Sequence, residues 1–340
     1  MDQARGTPRI VRRRPLLLGM AAGLAAGLAA ARTARAQGGA ASDYPNRPVV
    51  YINLFPPGAA TDTLSRIYCA AMERLAGQSF VVENRSGAGG TIGQAAIAQA
   101  PPDGYTVGLG SIASLAIAPS ILPDLPYDPA KDFTFVSGIW QVPNLLIVNN
   151  DLPARTVPEL IELIKKDPGR YAYGSSGFGT SPHLTMEMFK QQAGLEILHI
   201  PYRGGAPAML DLLAGRVQLM FDNMPTVIGA AREGKVRALG VTGAERSTAA
   251  PELPTMGEFL PGFQITSWGG LVGPAGIPAP VVERLSTLTK RALEDRELRR
   301  FFEENGATTW WTTPGQLAEF RAAQERLFAQ LIHASGARVR

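Results

Sequence analysis

Short apolar runs of strand length alternate with segments of helical periodicity along most of the chain. Residues 49–54 and 80–82 have the pattern of buried strands. Between them, apolar residues recur every three or four positions from Leu64 to Leu75, and Gly77 then marks the end of a helix. This alternation is typical of α/β folds built on mainly parallel sheets.

The same pattern continues to the C-terminus. Thr156, followed by Pro158 and Glu159, has the residues of a capping box and opens a helix that runs through Lys166. The remaining periodicity predicts strands at 105–109, 171–173, 197–200, 217–221 and 238–241, helices starting near 94, 181 and 206, and long helices near 279–305 and 314–335.

Two apolar segments, residues 142–150 and 265–276, have the character of strands that cross between lobes. We therefore expect two α/β lobes joined by two hinge strands. One lobe would comprise residues 37–144 and 265–340, and the other residues 145–264. A few residues in such crossings are able to absorb the rotation of lobe closure.

The first 36 residues have the three parts of an export signal. A basic cluster at residues 12–14 precedes an uncharged apolar stretch from Leu16 to Ala31, and a small-x-small sequence ends at Ala36. The stretch is short for a membrane span, so we expect a cleaved signal rather than an uncleaved anchor, and a periplasmic product. The Arg13-Arg14 pair resembles a twin-arginine motif, which leaves the export route open.

Removal of this segment changes the charge of the protein. Seven of the 33 basic residues and one of the 29 acidic residues lie in residues 1–36, which leaves 26 and 28 and a net charge near −2. No basic stripe of the kind that binds nucleic acid remains. The single cysteine, Cys69, has no partner for a disulfide, and we expect it to be a small buried residue in a helix.

The sequence offers little for catalysis, metals or cofactors. Its three histidines form no zinc-binding spacing with each other or with the cysteine, so we expect no metal. Residues 87–93 depart from the G-x-G-x-x-G fingerprint by one position, so we expect no dinucleotide cofactor. A serine nucleophile paired as Ser176–His183 stays open as an alternative, because geometry rather than composition defines such sites.

Three loops rich in Gly, Pro, Ser and Thr join strands to helix N-termini, at residues 55–62, 174–181 and 202–207. Exposed N–H groups at helix N-termini bind anions, and glycine lets a ligand approach the backbone. Because Asp62 and Arg203 are the only charged residues in these loops, a carboxylate would be held mainly by amides and hydroxyls. Three such loops favour a carboxylate-binding cleft.

Individual loop residues also have purely structural interpretations. Asp62, Thr180 and Ser181 have the chemistry of helix caps, Tyr202 that of packing at a strand end, and Arg203 that of a solvated charge. Phe55 and Phe178 are either loop anchors or walls of a pocket.

Motifs spread over most of residues 44–271 resemble the substrate-binding proteins of tripartite tricarboxylate transporters, the Bug family. They include Tyr-Pro-Asn-Arg-Pro at 44–48, Pro-Gly-Ala-Ala-Thr-Asp at 57–62, Val-Glu-Asn-Arg at 82–85, Pro-Asp-Gly-Tyr at 102–105, Ser-Ser-Gly-Phe-Gly-Thr at 175–180, Pro-Tyr-Arg-Gly-Gly-Ala-Pro at 201–207, Asp-Leu-Leu-Ala-Gly at 211–215 and Trp-Gly-Gly-Leu at 268–271.

The resemblance implies a type II periplasmic-binding-protein fold with the ligand in the cleft, and a carboxylate bound by the first two loops. The family's first loop usually reads Pro-Gly-Gly, whereas this chain has Ala59, whose methyl group could narrow the pocket. The candidate ligand-binding residues are Phe55, Pro57, Gly58, Ala59, Thr61, Asp62, Asn84, Ser175, Ser176, Gly177, Phe178, Gly179, Thr180, His183, Tyr202, Gly204 and Asp222.

We therefore expect a monomeric, non-enzymatic binding protein that captures a small carboxylate and delivers it to membrane permease subunits. Two alternatives are a ligand sensor that docks on a sensor kinase and an exported hydrolase. Phe55 and Phe178 favour a ligand with an apolar body, but the sequence leaves its identity open.

Overall fold

A parallel sheet forms the first part of the computed structural model, which describes residues 43–335. Strand β1 (Val49–Asn53) pairs with β2 (Phe80–Asn84) on one side and with β3 (Thr106–Ser111) on the other. Helices α1 (Ala60–Ala76), α2 (Thr91–Ala98) and the short α3 (Ala118–Ile121) follow these strands. As predicted, Gly77 ends α1, with a left-handed φ of 69°, and Cys69 is buried within that helix. The predicted export signal, residues 1–36, lies outside the described residues.

One long strand, β4 (Phe133–Val148), connects the two parts of the sheet. Up to Pro143 it pairs with β9 (Thr266–Pro274), and near Trp140 it also pairs with the short β10 (Thr308–Thr309). From Asn144 on it pairs with β7 (Leu219–Asn223) and β8 (Arg237–Val241) instead. The strand order is β2-β1-β3-β9-β4-β7, followed by β5 (Ala172–Ser175) and β6 (Leu198–Pro201).

The second part of the sheet is packed by four helices: α4 (Val157–Lys166), α5 (Ser181–Ala193), α6 (Gly205–Leu213) and α7 (Met224–Arg232). Its core contains Phe189, Phe221 and Phe263, whose ring centroids lie 6.0 to 6.5 Å apart. Strand positions that alternate into this core and helix faces that cover it account for the apolar periodicity of the sequence.

The C-terminal region differs from the sequence prediction. Residues 279–305 do not form one helix but two, α8 (Ala279–Ala292) and α9 (Arg296–Glu304). The break occurs because the Asp295 side chain accepts a hydrogen bond from Leu298 N, which caps a new helix. The last helix, α10 (Pro314–Ser335), was predicted correctly.

Other differences are local. Thr156 accepts from Glu159 N as predicted, but the Glu159 carboxylate accepts from Arg155 N and not from Thr156 N, so the reciprocal capping box is incomplete. Helix α7 and the first half of β4 were not predicted. None of the helices within residues 43–335 is long and apolar enough to cross a membrane.

Candidate functional site

The three predicted loops meet at the carboxyl ends of β1, β5 and β6 and surround two adjoining cavities. The inner chamber has a volume of about 40 Å³. Its walls are residues 55, 59–61, 111–113, 140, 176, 180–182, 204–205, 222–223, 226 and 267. The outer chamber has a volume of about 720 Å³ and is mostly apolar. Its walls are residues 55–56, 86–90, 92, 113, 118, 121–122, 176–179 and 201–204.

The first loop is held in place by the buried carboxylate of Asp62. It accepts hydrogen bonds from Gly58 N (2.9 Å), Asn84 Nδ2 (2.7 Å) and Arg66 Nε (3.1 Å). Burial alone would raise the pKa of Asp62, but the bonds from Arg66, Gly58 and Asn84 together lower it below its ordinary value. Asp62 therefore positions the loop as an anion at neutral pH, and it lines neither chamber.

Two asparagine side chains fix the entrance to this loop. Asn53 Nδ2 and Asn84 Nδ2 both donate to the Phe55 carbonyl oxygen, each at 2.9 Å. Gly58 has a φ of 79°, which favours glycine at the point where the chain turns towards α1. The phenyl ring of Phe55 is thereby placed in the walls of both chambers.

Ala59 has ordinary extended backbone angles, φ −68° and ψ 159°. An alanine adopts this conformation without strain, so the departure from Pro-Gly-Gly does not disturb the loop backbone. Its side chain lies in the wall of the inner chamber, where the methyl group takes up space that a glycine would leave free.

Glycines and hydroxyls shape the second loop. Gly177 and Gly179 have positive φ angles of 133° and 74°, and Thr180 Oγ1 donates to the Gly177 carbonyl oxygen at 2.7 Å. Ser176, Thr180 and the first residues of α5 line the inner chamber. Thr180 occupies the N-cap position of α5, but its side chain makes no capping hydrogen bond, so its role is to stabilise the loop.

A stack of four rings lies beneath the second loop. Tyr173, His199, His183 and Phe178 follow one another with centroid separations of 4.6, 4.4 and 4.6 Å. Burial is the main cause that lowers the pKa of His183 to about 3 and that of His199 to about 4. Both imidazoles are therefore neutral at pH 7.

One histidine of the stack pairs with a serine, but this pair differs from the Ser176–His183 pair considered from the sequence. Ser175 Oγ lies 2.7 Å from His199 Nε2, whereas Ser176 Oγ donates to Thr180 Oγ1. His183 Nδ1 accepts from Gly179 N. Ser175 is fully buried and lines neither chamber, so this pair supports the loop from below.

The third loop completes the outer chamber. Tyr202 Oη donates to Asp211 Oδ2 at 2.7 Å, which ties the loop to α6. Arg203 is exposed and, among the described residues, is the only charged side chain in the wall of the outer chamber. No ion pair joins it to any carboxylate within residues 43–335.

Three polar atoms in the walls of the inner chamber are buried and have no hydrogen-bond partner within the described protein. They are Thr61 Oγ1, Trp140 Nε1 and Asp222 Oδ2. Burial raises the pKa of Asp222 to about 7. Because a buried polar atom without a partner is costly, three of them around one cavity are the pattern of a ligand site.

The structure brings most of the predicted site residues together. Phe55, Ala59, Thr61, Ser176, Thr180, Gly204 and Asp222 line the inner chamber, and Gly177, Phe178, Gly179 and Tyr202 line the outer one. Pro57, Gly58, Asp62, Asn84, Ser175 and His183 line neither chamber. Sequence reasoning missed Trp140, Ser111, Ala113, Asn223, Thr226 and Ser267.

Two sets of strands and helices joined through β4, with a cleft formed by loops at helix N-termini, define a periplasmic-type solute-binding protein. The chain belongs to the tripartite tricarboxylate transporter family receptor group, whose family model matches residues 64–337. The resemblance expected from the sequence is thereby confirmed.

Individual relatives agree with this assignment. The chain is 36% identical to the protein BugT of Bordetella pertussis, over 88% of this chain and 93% of BugT. Among solved structures, it is similar to the R. palustris protein Rpa4515 with adipate (35% identity, TM-score 0.85) and to the periplasmic binding protein BugD (34%, TM-score 0.83). Both matches cover 87% of this chain and all of the other protein.

A further solved relative is MatC from Rhodopseudomonas palustris with bound malate, at 30% identity and a TM-score of 0.80, covering 85% of this chain and all of MatC. The proteins of this group have the two-lobed fold of type II periplasmic binding proteins, as predicted. They are solute-binding proteins and not enzymes, and this chain is one of them.

Proposed function

We propose that this protein captures a small carboxylate in the cleft between two lobes and delivers it to the membrane permease subunits of a tripartite tricarboxylate-type transporter. The observation that carries this proposal is the inner chamber. It is built at the N-termini of α1, α5 and α6 and contains the unpartnered donors Thr61 Oγ1 and Trp140 Nε1. Such groups bind an anion without a formal positive charge.

The size of the two chambers indicates how the ligand is divided between them. A volume of about 40 Å³ has room for roughly three water-sized groups, enough for a carboxylate head and one neighbouring substituent. The rest of the ligand would extend into the outer chamber, whose apolar walls include Phe55 and Phe178. We therefore favour a carboxylate with an apolar body.

Arg203 adds a preference for a second anionic group at the end of the ligand that lies in the outer chamber. As the one charged side chain that the described residues contribute to the outer chamber, it would attract a second anionic group separated from the head by an apolar spacer. The similar proteins Rpa4515 and MatC were solved with the dicarboxylates adipate and malate, which is consistent with this arrangement.

Ligand capture would close the lobes. We place one lobe at residues 37–144 and 265–340 and the other at 145–264, since β4 changes its pairing partner between Pro143 and Asn144. Residues of both lobes line the inner chamber, so a ligand that touches both would stabilise the closed state. We further propose that the protein is monomeric and reaches the periplasm through the cleaved signal at residues 1–36.

A binding screen tests the proposal. Purified protein is denatured and analysed by mass spectrometry for a co-purified ligand, then refolded and screened by thermal shift against mono-, di- and tricarboxylates with matched amides as controls. A carboxylate at 100 times its Kd should add about 2.7 kcal/mol of stability and be recovered unchanged. Failure of every carboxylate to shift the melting temperature, with no co-purified acid, would overturn the proposal.

Delivery needs a separate measurement. Deletion of the gene should abolish uptake of the identified radiolabelled carboxylate into whole cells, and expression of the intact protein should restore it. Unchanged uptake in the deletion strain would leave capture standing but contradict the delivery role.

A further inference from the structure

We propose that the ligand carries a hydrogen-bond donor, a hydroxyl or an ammonium group, on the carbon beside its carboxylate, and that Asp222 accepts from this donor. The inference rests on the proposed function, because it assigns the chemical class of the carboxylate that the inner chamber binds.

The position of Asp222 leaves one of its oxygens for a ligand. Asp222 is 3% exposed at the end of β7, and its Oδ1 accepts from Asn223 N at 2.7 Å. Its Oδ2 is buried and has no hydrogen-bond partner among the described residues, and Asp222 lies in the wall of the inner chamber. A hydrogen bond from the bound ligand would remove the cost of leaving this acceptor unpaired.

Gly205 makes room for this carboxylate. A Cβ atom at position 205 would lie 2.1 Å from Asp222 Oδ2 and 3.0 Å from Thr226 Cγ2. The first residue of α6 therefore has to be glycine for Asp222 to keep its orientation. The carboxylate is thus accommodated by the surrounding residues, although burial alone would favour an apolar side chain there.

The buried polar atoms around the inner chamber are of two kinds, hydrogen-bond donors and a hydrogen-bond acceptor. Thr61 Oγ1 and Trp140 Nε1 are able to donate, which suits a ligand carboxylate, whereas Asp222 Oδ2 offers an acceptor, which suits a donor. An unsubstituted carboxylate would satisfy the donors and leave Asp222 facing a second carboxyl group in a cavity of about 40 Å³. A hydroxyl or ammonium group next to the ligand carboxylate satisfies all three atoms.

Among the described residues, no other charged side chain lines the inner chamber with Asp222. Asp222 pairs with Leu145 of β4 and lies against Gly205 of α6 and Thr226 of α7. The pH dependence of binding therefore reports on Asp222 and the ligand. A donor on the ligand favours the carboxylate form of Asp222, so affinity should increase from pH 5.5 to 8.

The test compares ligands that differ only in the donor. Two series are titrated by calorimetry into the purified protein: succinate, L-malate and L-aspartate, and 3-phenylpropionate, L-3-phenyllactate and L-phenylalanine. If the screen described above yields another carboxylate skeleton, that acid and its analogues with and without the donor replace the series. We expect a hydroxyl or an ammonium member to bind at least tenfold more tightly than its parent, and the preferred member identifies the donor.

Variants then assign the preference to Asp222. Asp222→Asn should reduce the preference for an ammonium group at least fivefold, because an amide still accepts but carries no charge. Asp222→Leu should abolish the preference for either donor. Asp151→Asn, the same chemical change at an exposed position, should leave the preference intact, and thermal unfolding verifies that each variant is folded.

Two results would overturn the inference. One is equal or tighter binding of the parent acids, and the other is affinity that increases as the pH falls, which would mean that a proton is shared between Asp222 and the ligand carboxylate. In both cases carboxylates still bind, so the proposed function stands. If no carboxylate of any kind binds, the proposed function fails and this inference fails with it.

Discussion

Ser175 Oγ lies 2.7 Å from Nε2 of His199, an inner ring of the stack of four rings that supports the second cleft loop. A serine–histidine contact suggests a nucleophile, but no hydrogen bond within residues 43–335 connects either histidine of the stack to a carboxylate. The pair instead couples β5 to β6 directly beneath the loop.

The histidines of this stack should make the protein sensitive to acid. Both have folded-state pKa values below 6.5, so below that pH the unfolded chain binds more protons and stability falls. Between pH 6.5 and 4, His183 should cost up to about 1.4 kcal/mol per pH unit, and the partly exposed His199 less. Urea unfolding at a series of pH values measures this slope.

The matched variants for this prediction are His183→Phe, which keeps a ring in the stack, and His333→Gln at an exposed position. The first should flatten the decline in stability and the second should leave it unchanged. An identical slope in His183→Phe would show that other groups cause the acid sensitivity.

Asn84 should affect binding without touching the ligand. Its amide holds both the Phe55 carbonyl oxygen and Asp62 Oδ1, so Asn84→Ala should allow the first loop to shift. We expect about tenfold weaker binding and a loss of about 1–2 kcal/mol in unfolding free energy. Asn150→Ala, which removes a bond to Gly234 O away from both chambers, should lower stability alone. Equal affinities of the two variants would contradict this role.

The contrast between Ser176 and Trp140, which both line the inner chamber, explains what the sequence could predict. Loops that join strands to helices carry local signals, so the three loops and most of their residues were identified from Gly, Pro and hydroxyl content. Trp140 lies within a strand among apolar residues and is 1% exposed. A strand pattern does not distinguish a ring that faces a cavity from one that faces the core.

Tertiary context likewise determined the elements that were predicted incorrectly. Periodicity continues from α8 into α9, and only the Asp295 cap reveals the break. The roles of Ser175 and His199 depend on the parallel pairing of β5 with β6, which sequence spacing does not encode. The pairing of Ser176 with His183 was therefore a reasonable but wrong alternative.

Gly205→Ala should abolish high-affinity binding. The added Cβ would meet Asp222 Oδ2 at 2.1 Å, which forces either the carboxylate or the start of α6 to move. Gly229→Ala is the control, because nothing lies within 4 Å of its Cβ and it sits in α7. That change should preserve binding and stabilise the protein by about 0.5–1 kcal/mol. Calorimetry and thermal unfolding of both variants test this, and unimpaired binding by Gly205→Ala would show that Asp222 is free to adapt.

Replacement of Ala59 should depend on side-chain size and not on backbone freedom. Its φ of −68° is accessible to most residues. Ala59→Gly should therefore change affinity less than about threefold and lower stability by about 0.4–1 kcal/mol, since glycine has more freedom in the unfolded chain. Ala59→Val adds volume to a chamber of about 40 Å³ and should weaken binding at least tenfold. Loss of binding in the glycine variant would instead mean that the methyl group makes an essential contact.

Trp140 should report ligand binding through its fluorescence. Its Nε1 has no partner within the described protein and the side chain lies in the wall of the inner chamber. Gly269 is required beneath the ring, since a Cβ there would lie 2.4 Å from it, so the indole has little freedom to move away from the ligand.

A carboxylate that accepts from Nε1 should change the emission, and Trp140→Phe should remove this change and weaken binding about tenfold. Trp311→Phe, at a residue 37% exposed on the surface, should retain both the change and the affinity. If the emission change persists in Trp140→Phe at equal affinity, the ligand does not contact this indole, and the donor wall of the inner chamber would be reduced to Thr61 and the backbone amides.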